Sequence, residues 1–250
     1  MAAITAVLYR ESKIRSTNLT FIFWDLLYPL VNLLIFGVGI NAAIGATFTA
    51  AGADYNAFFL AGCLGMGNFA IASNTSWSFF MDRDNGIFYE MLTYPLSRAE
   101  YLSGKMLFNA FVALVQALLT IACAGLFLHV PFRWDLSPLL LVGLAGGSAA
   151  WFYFYAIFAL RIRRNDVFNS VTSILYFILL FVSSMFYPVD PLPNWFRIAA
   201  LANPMTWHVD LLRYSTIGLG DPRRIALESA ALGLFGLASY FIAIRSLEQQ

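Results

Sequence analysis

The chain has 250 residues, of which 60% are hydrophobic and only 12% charged, and its formal net charge is +1. Soluble domains are nearer half apolar and about a quarter charged, so lipid is the expected solvent for most of this chain. The near-neutral balance leaves no basic surface for nucleic acid.

Residues 1–20 are too long and too mixed for the short basic head of a signal peptide, and an uncleaved first span is expected. Within 2–18, Ile4, Val7, Leu8 and Ile14 share one helical face, and Arg10, Lys13 and Arg15 lie toward the other. That pattern predicts an amphipathic helix in the headgroup plane, basic side to the lipid phosphates.

Six apolar segments follow, at 19–44, 56–80, 102–130, 136–160, 167–187 and 225–245. Each can cross a hydrocarbon core of about 30 Å at about 1.5 Å per residue, some with tilt. Backbone groups in lipid must bond within their own segment, and no segment alternates as a barrel strand does. The expected fold is therefore all-α, a polytopic membrane protein with six transmembrane helices. Cys63 and Cys123 both fall inside apolar runs and read as small buried hydrophobes.

Lys and Arg placement sets the orientation. With the N-terminus inside, ten of the 15 basic residues fall in cytoplasmic connections, the cluster at Arg161, Arg163 and Arg164 being the strongest vote. Both termini and the charged stretch 82–100 then face the cytoplasm. Outside lie the short, small-residue connection 45–55, the turn 131–135 and the long region 188–222. In that last region a short helix near Trp195 is broken at Asn203-Pro204, because proline cannot continue a helix and biases the residue before it. A second amphipathic helix resumes at Met205. A re-entrant hairpin packed against protein fits this pattern. A loop at the outer interface, with Trp195, Trp207 and Tyr214 among the headgroups, is the other reading. In the fourth span Gly143 and Gly147 form a small-xxx-small pair that allows close helix approach.

Chemical motifs are mostly missing. Gly104-Lys105 resembles the tail of a phosphate-binding loop, but Ala99 and Met106 break the pattern at both ends. There is no HExxH, no recognisable Ser-His-Asp motif, and no metal set; His129 and His208 read as structural. Asp25, Asp166 and Glu228 can each reach an interface, so the spans are poor in the buried charges of an ion-coupled carrier. The span centres carry uncharged polar groups instead, among them Asn32, Asn68, Asn74, Gln116, Thr172 and Ser184, which either glue helices or meet a cargo. Abundant rings, including Trp151, Tyr155, Tyr176 and Phe181, would suit an apolar or amphipathic cargo or stack on sugar faces. With neither an ATP motif nor coupling charges, the energy for transport must come from another subunit.

The stretch Asn85-Gly86-Ile87-Phe88-Tyr89-Glu90-Met91-Leu92-Thr93-Tyr94-Pro95-Leu96-Ser97-Arg98 resembles the cytoplasmic coupling segment of type-2 ABC exporter permeases. Gly86, Glu90, Leu92, Pro95 and Ser97 carry the likeness. The outer stretch, with Pro191-Leu192-Pro193, Asn203-Pro204-Met205-Thr206-Trp207 and Asp210-Leu211-Leu212-Arg213, is similar to that family's external signature.

The resemblance implies a homodimeric pathway above two separately encoded ABC ATPase subunits. ATP and magnesium would be held on those partners, with no catalytic residue and no cofactor in this chain. Residues 85–96, above all Asn85, Gly86, Ile87, Phe88, Tyr89, Glu90, Met91, Leu92, Tyr94 and Pro95, would dock in an ATPase cleft. Phe88, Tyr89 and Met91 are apolar side chains in a charged loop, as a docking surface requires. Trp195, Asn203, Pro204, Trp207, Asp210 and Arg213 would form the external gate. The first, second and fifth spans would line the cargo path, at Asn32, Asn68, Thr172, Tyr176 and Phe181. The implied setting is the plasma membrane of a bacterium or archaeon, and the implied cargo an exported glycan, lipid or drug-like amphiphile. The alternatives are a lipid-modifying membrane enzyme using Asp210, His208 or Asp25, for which no convergent acid and base are evident, and an ion-coupled transporter.

Overall fold

The computed structural model describes residues 2–45, 48 and 53–249, and every regular element among them is helical. Most of the expected 45–55 connection lies outside the described residues.

Helix α1 runs Ala2–Thr17. Its inward stripe is Val7, Glu11 and Arg15, spaced four apart, so that one face packs on the protein. The expectation of a basic side turned to lipid is corrected for two of its three cations. Arg10 and Arg15 turn inward onto Asp82 and Asp25, because buried carboxylates need partners more than phosphates in water do. Lys13 remains exposed.

Asn18 accepts a hydrogen bond from the Thr20 amide and restarts the chain as α2, Leu19–Ala43. Helix α2 widens into π turns at Phe23–Leu27 and Leu33–Gly37. Pro29 accounts for the first. It lacks an amide hydrogen, its ring would strike the Asp25 carbonyl four residues back, and a widened turn relieves both problems.

Helix α3, Tyr55–Asp84, is the pillar of the molecule: its apolar window is 89% buried. Close neighbours require its glycines. A Cβ on Gly62 would come within 2.7 Å of Met185, and one on Gly65 within 2.8 Å of Val209. Gly86, at φ 77°, ends the descent and turns the chain into α4, Ile87–Met91.

Ser97 and Glu100 form a capping box that starts α5, Arg98–Phe127, four residues earlier than the apolar pattern predicts. Then come α6, Ser137–Arg161, with Pro138 in its first turn, and α7, Asn165–Phe181. Helices α8, Asn194–Leu201, and α9, Pro204–Ile217, are separated by the expected break, and α10, Pro222–Glu248, is capped by Asp221. Helix α7 stops six residues short of the predicted 187. Ser183 donates to the Leu180 carbonyl at 2.5 Å and accepts from the Met185 amide, so local side-chain bonds outcompete the helix.

Among the described residues five helices are long and apolar enough to cross a membrane: Leu19–Ala43, Tyr55–Asp84, Arg98–Phe127, Trp134–Arg161 and Pro222–Glu248. The 17-residue α7 is a shorter apolar helix. Around α3 pack α5, α6 and α9, with α10 outside α6. The α6 C-terminus is tied to the pillar by Arg83, whose guanidinium donates to the carbonyls of Ala159 (2.5 Å), Leu160 (2.7 Å) and Ile162 (2.5 Å).

Candidate transport site

Three polar layers sit along the pillar. The first surrounds α4. Asp84, Asn85, Tyr89, Glu90, Tyr94 and Pro95 are exposed there, while Ile87, Met91 and Leu92 are half-buried. Phe88 departs from its expected place on a docking surface. It is fully buried, edge-on to Phe79 and tilted against Tyr101, and is the deepest of the apolar side chains, with Met91 and Leu92, that seat this short helix on the core.

Beneath Phe88 lies a buried ionic network. Lys105 Nζ, fully buried, reaches Glu11 at 2.7 Å and Asp82 at 2.8 Å and donates to Ser78 Oγ at 3.2 Å. Arg10 donates to both Asp82 oxygens, at 2.6 and 3.0 Å, and the Tyr101 hydroxyl donates to the same carboxylate. Burial opposes the Arg10 charge, but Asp82 outweighs it and holds the guanidinium pKa above its ordinary value. Two carboxylates and two cations thus join α1, α3 and α5 directly under α4. Buried pairs of this kind fix geometry more than they add stability, and removing one partner is costly.

The second layer is a cleft of about 250 Å³ between α2, α3 and α7, lined by Trp24, Tyr28, Ala70, Ser73, Asn74, Thr172, Ser173 and Tyr176. Tyr176 stacks on Phe69, and its buried hydroxyl has no partner among the described residues. Beside the cleft, Asn74 donates to Asp25 at 2.7 Å, and Arg15 binds the other oxygen of Asp25 and donates to Thr75 at 2.8 Å. The π turn before Pro29 therefore holds a neutralised, buried carboxylate behind Asn74 of the cleft.

The third layer is at the α9 end. Asn203 caps α9 through the Met205 amide, and its Nδ2 donates to the carbonyls of Leu179 (2.8 Å) and Val182 (2.5 Å), which closes the frayed end of α7. Pro204 occupies the first turn, and Trp207 donates to the Leu201 carbonyl at 2.7 Å. Arg213 is buried over the Phe58 ring, 3.8 Å from its centroid, and bonds Asp210 at 2.5 Å and the Ser184 carbonyl at 2.6 Å. Trp195, by contrast, is 74% exposed on α8. A cavity of about 990 Å³ opens beside Asp210 and Arg213.

The sequence that builds this architecture is similar to known proteins. Residues 2–217 fit the family model described as ABC-2 type transporter. The chain belongs to the ABC-2 type transporter family. Among curated relatives it is 28% identical over 200 residues to the transport permease ycf38 of Cyanophora paradoxa, covering 76% of this chain and 65% of that protein. It is 26% identical over 215 residues to the daunorubicin resistance ABC transporter permease protein DrrB1 of Streptomyces coeruleorubidus, covering 82% of this chain and 73% of the relative. It is also 25% identical over 228 residues to nodulation protein J of Rhizobium leguminosarum bv. trifolii, covering 89% and 83%. The aligned part thus spans just under two-thirds of the Cyanophora relative's length.

In this ABC-2 chain the residues expected along a cargo path are not one group. Thr172 and Tyr176 share the cleft. Phe181 is 43% exposed near it in sequence, packed on Phe177 and Phe186. Asn32 donates to the Tyr28 carbonyl of its own helix at 2.9 Å. Asn68 is corrected: it is fully buried and donates to the Leu144 carbonyl at 2.9 Å, so it joins α3 to α6 and is not among the lining residues of the cleft. Sequence reasoning missed Glu11, Asp82, Tyr101, Arg83 and Arg224 as partners. A single acid in a basic helix reads as a solvated charge; only the four-residue spacing of Val7, Glu11 and Arg15 hinted at an inward face.

Proposed function

We propose that this ABC-2 permease is the membrane half of an ATP-driven exporter, moving an amphipathic or lipid-linked cargo out of the cytoplasm. Two copies form the pathway, and two separate ABC ATPase subunits, holding ATP and magnesium, dock against 85–96. The α4 end, both termini and the Arg161–Arg164 cluster are cytoplasmic, in a prokaryotic plasma membrane; α7 is the sixth span and α8–α9 the re-entrant external hairpin. The observation that carries the reading is the construction of the α4 knob. Its outer face leaves Tyr89, Glu90, Tyr94 and Pro95 free for a partner, while Phe88 seats its inner face on the network of Tyr101, Asp82, Lys105, Glu11 and Arg10. A push on α4 therefore reaches α1, α3 and α5 together.

Such a push displaces α2 as well, because Arg15 on α1 holds Asp25 in the π turn of α2. The cleft of Trp24, Tyr28, Thr172 and Tyr176 lies beside that turn and is the cargo route on this side of each protomer. Aromatic walls with hydroxyl and amide groups suit a cargo that is part ring, part polar. The experiment is reconstitution of the permease with its ATPase in sealed vesicles, with daunorubicin as the probe because one relative's name carries it. ATP-dependent accumulation that survives collapse of the proton gradient supports the reading; uptake that needs the gradient and ignores ATP refutes it.

A further inference from the structure

We propose that Arg224 is the hub of an ionic latch that holds the α9 end shut and keeps water from Val189, a buried residue in the wall of the 990 Å³ cavity that the latch side chains line. This rests on the transport reading only for calling that end an exit.

Arg224 meets three carboxylates from three segments. It lies 2.8 Å from Glu228 on its own helix, 3.3 Å from Asp210 on α9, and 3.7 Å from Asp190 in the connection after α7. Arg213 completes the network: it binds Asp210 and the Ser184 carbonyl, lies over the Phe58 ring, and so adds the top of α3. The Ser184 hydroxyl donates to Asp210 at 2.6 Å. Two guanidinium groups thus tie four segments, beside the Ser184 contacts to Thr206 and Asp210 and the Tyr55 hydroxyl on the Phe186 carbonyl.

Two features mark this as a poised arrangement. Arg224 sits in the first turn of α10, where the helix dipole disfavours a cation, so its place there is set by the carboxylates. The network is also incompletely bonded. Three arginines, Arg213, Arg224 and, on Asp190, Arg197, face the three carboxylates, yet Glu228 Oε2 is buried with no hydrogen-bond partner among the described residues. A partly satisfied buried network contributes less to the closed form than a complete one, and losing its shared cation leaves Asp210 and Glu228 repelling each other. The rim of the latch is exposed, with the Asp190 side chain at 70% and that of Arg224 at 35%, so salt can reach it.

The test uses the full chain in lipid nanodiscs, which leave both faces open and need neither ATPase nor cargo. With Cys63→Ala and Cys123→Ala as background, Val189→Cys places a thiol on a cavity-lining residue that is only 4% exposed. Maleimide labelling should be slow with the latch intact and about tenfold faster with Arg224→Gln. Added salt should speed the intact protein toward the variant and leave the variant unchanged. If Arg224→Gln does not fold, Asp190→Asn touches only the rim and should still raise the rate by about two- to threefold. Equal rates in the folded proteins, at low and high salt, overturn the latch. A failure of ATP-driven uptake would refute the transport reading and leave these rates as they are.

Discussion

Lys105 shows what one buried charge does in this protein. It neutralises Glu11 and part of Asp82 in a place water does not reach. Lys105→Met should cost about 3–5 kcal/mol, since it strands buried carboxylates. The loss should appear as a lower unfolding temperature by size-exclusion after heating. Adding Glu11→Leu to Lys105→Met should restore part of it; no recovery would mean that the pair is not what holds α1. Gly147 gives a steric counterpart. A Cβ there would collide with the His208 ring, which accepts from Trp151 Nε1 at 3.1 Å, whereas Gly146 has nothing within 4 Å. Gly147→Ala should therefore destabilise by about 1–3 kcal/mol and Gly146→Ala hardly at all, by the same assay. The Gly143 and Gly147 spacing was legible in the sequence as a place of close approach. That the approaching element is α9, and the approaching side chain a histidine, was not, because small-residue spacing says how near a neighbour comes and nothing of which one.

At the scale of elements, the turn at Gly86 and the cap at Asn203 are the two joints the sequence marks most openly. Gly86 has a positive φ and open space around it, so its role is conformational. Gly86→Pro should disturb α4 while leaving the spans in place, and Glu90→Lys should reverse charge on its exposed face. Both variants should insert normally yet lose ATP-driven uptake; uptake at the normal rate in both would sink the docking role. Asn203→Ala removes the cap of α9 and leaves the Leu179 and Val182 carbonyls without their donor. A loss of about 1–3 kcal/mol is expected, read as early unfolding of purified protein, and an unchanged unfolding temperature would contradict it. The break at Asn203-Pro204 could be read from proline alone. The end of α7 could not, because Phe181 to Tyr187 is mostly apolar and the helix is stopped by the local bonds of Ser183 and closed by Asn203 from the distant α9 cap. The start of α5 was legible and overlooked: Ser97 and Glu100 have the capping-box spacing, but the hydrophobic run begins later.

Over the whole molecule, hydropathy exposes the spans because lipid allows backbone groups no partner outside their own helix. It hides the ionic layers, since charges at the ends of apolar runs look like ordinary interface residues until the fold brings α1 against α3 and α5. Those layers make the permease a set of linked levers: α4 to α1 through Asp82, Lys105 and Glu11, and α1 to α2 through Arg15 and Asp25. The account's central claim is that a separate ATPase moves these levers by gripping α4. The most direct measurement is ATP turnover of the purified ATPase subunit with permease in lipid vesicles, alongside co-purification of the two. The account predicts that the normal permease binds the ATPase and changes its turnover, and that Glu90→Lys, inserted equally well, does neither. Full binding and an unchanged turnover response with Glu90→Lys would contradict it.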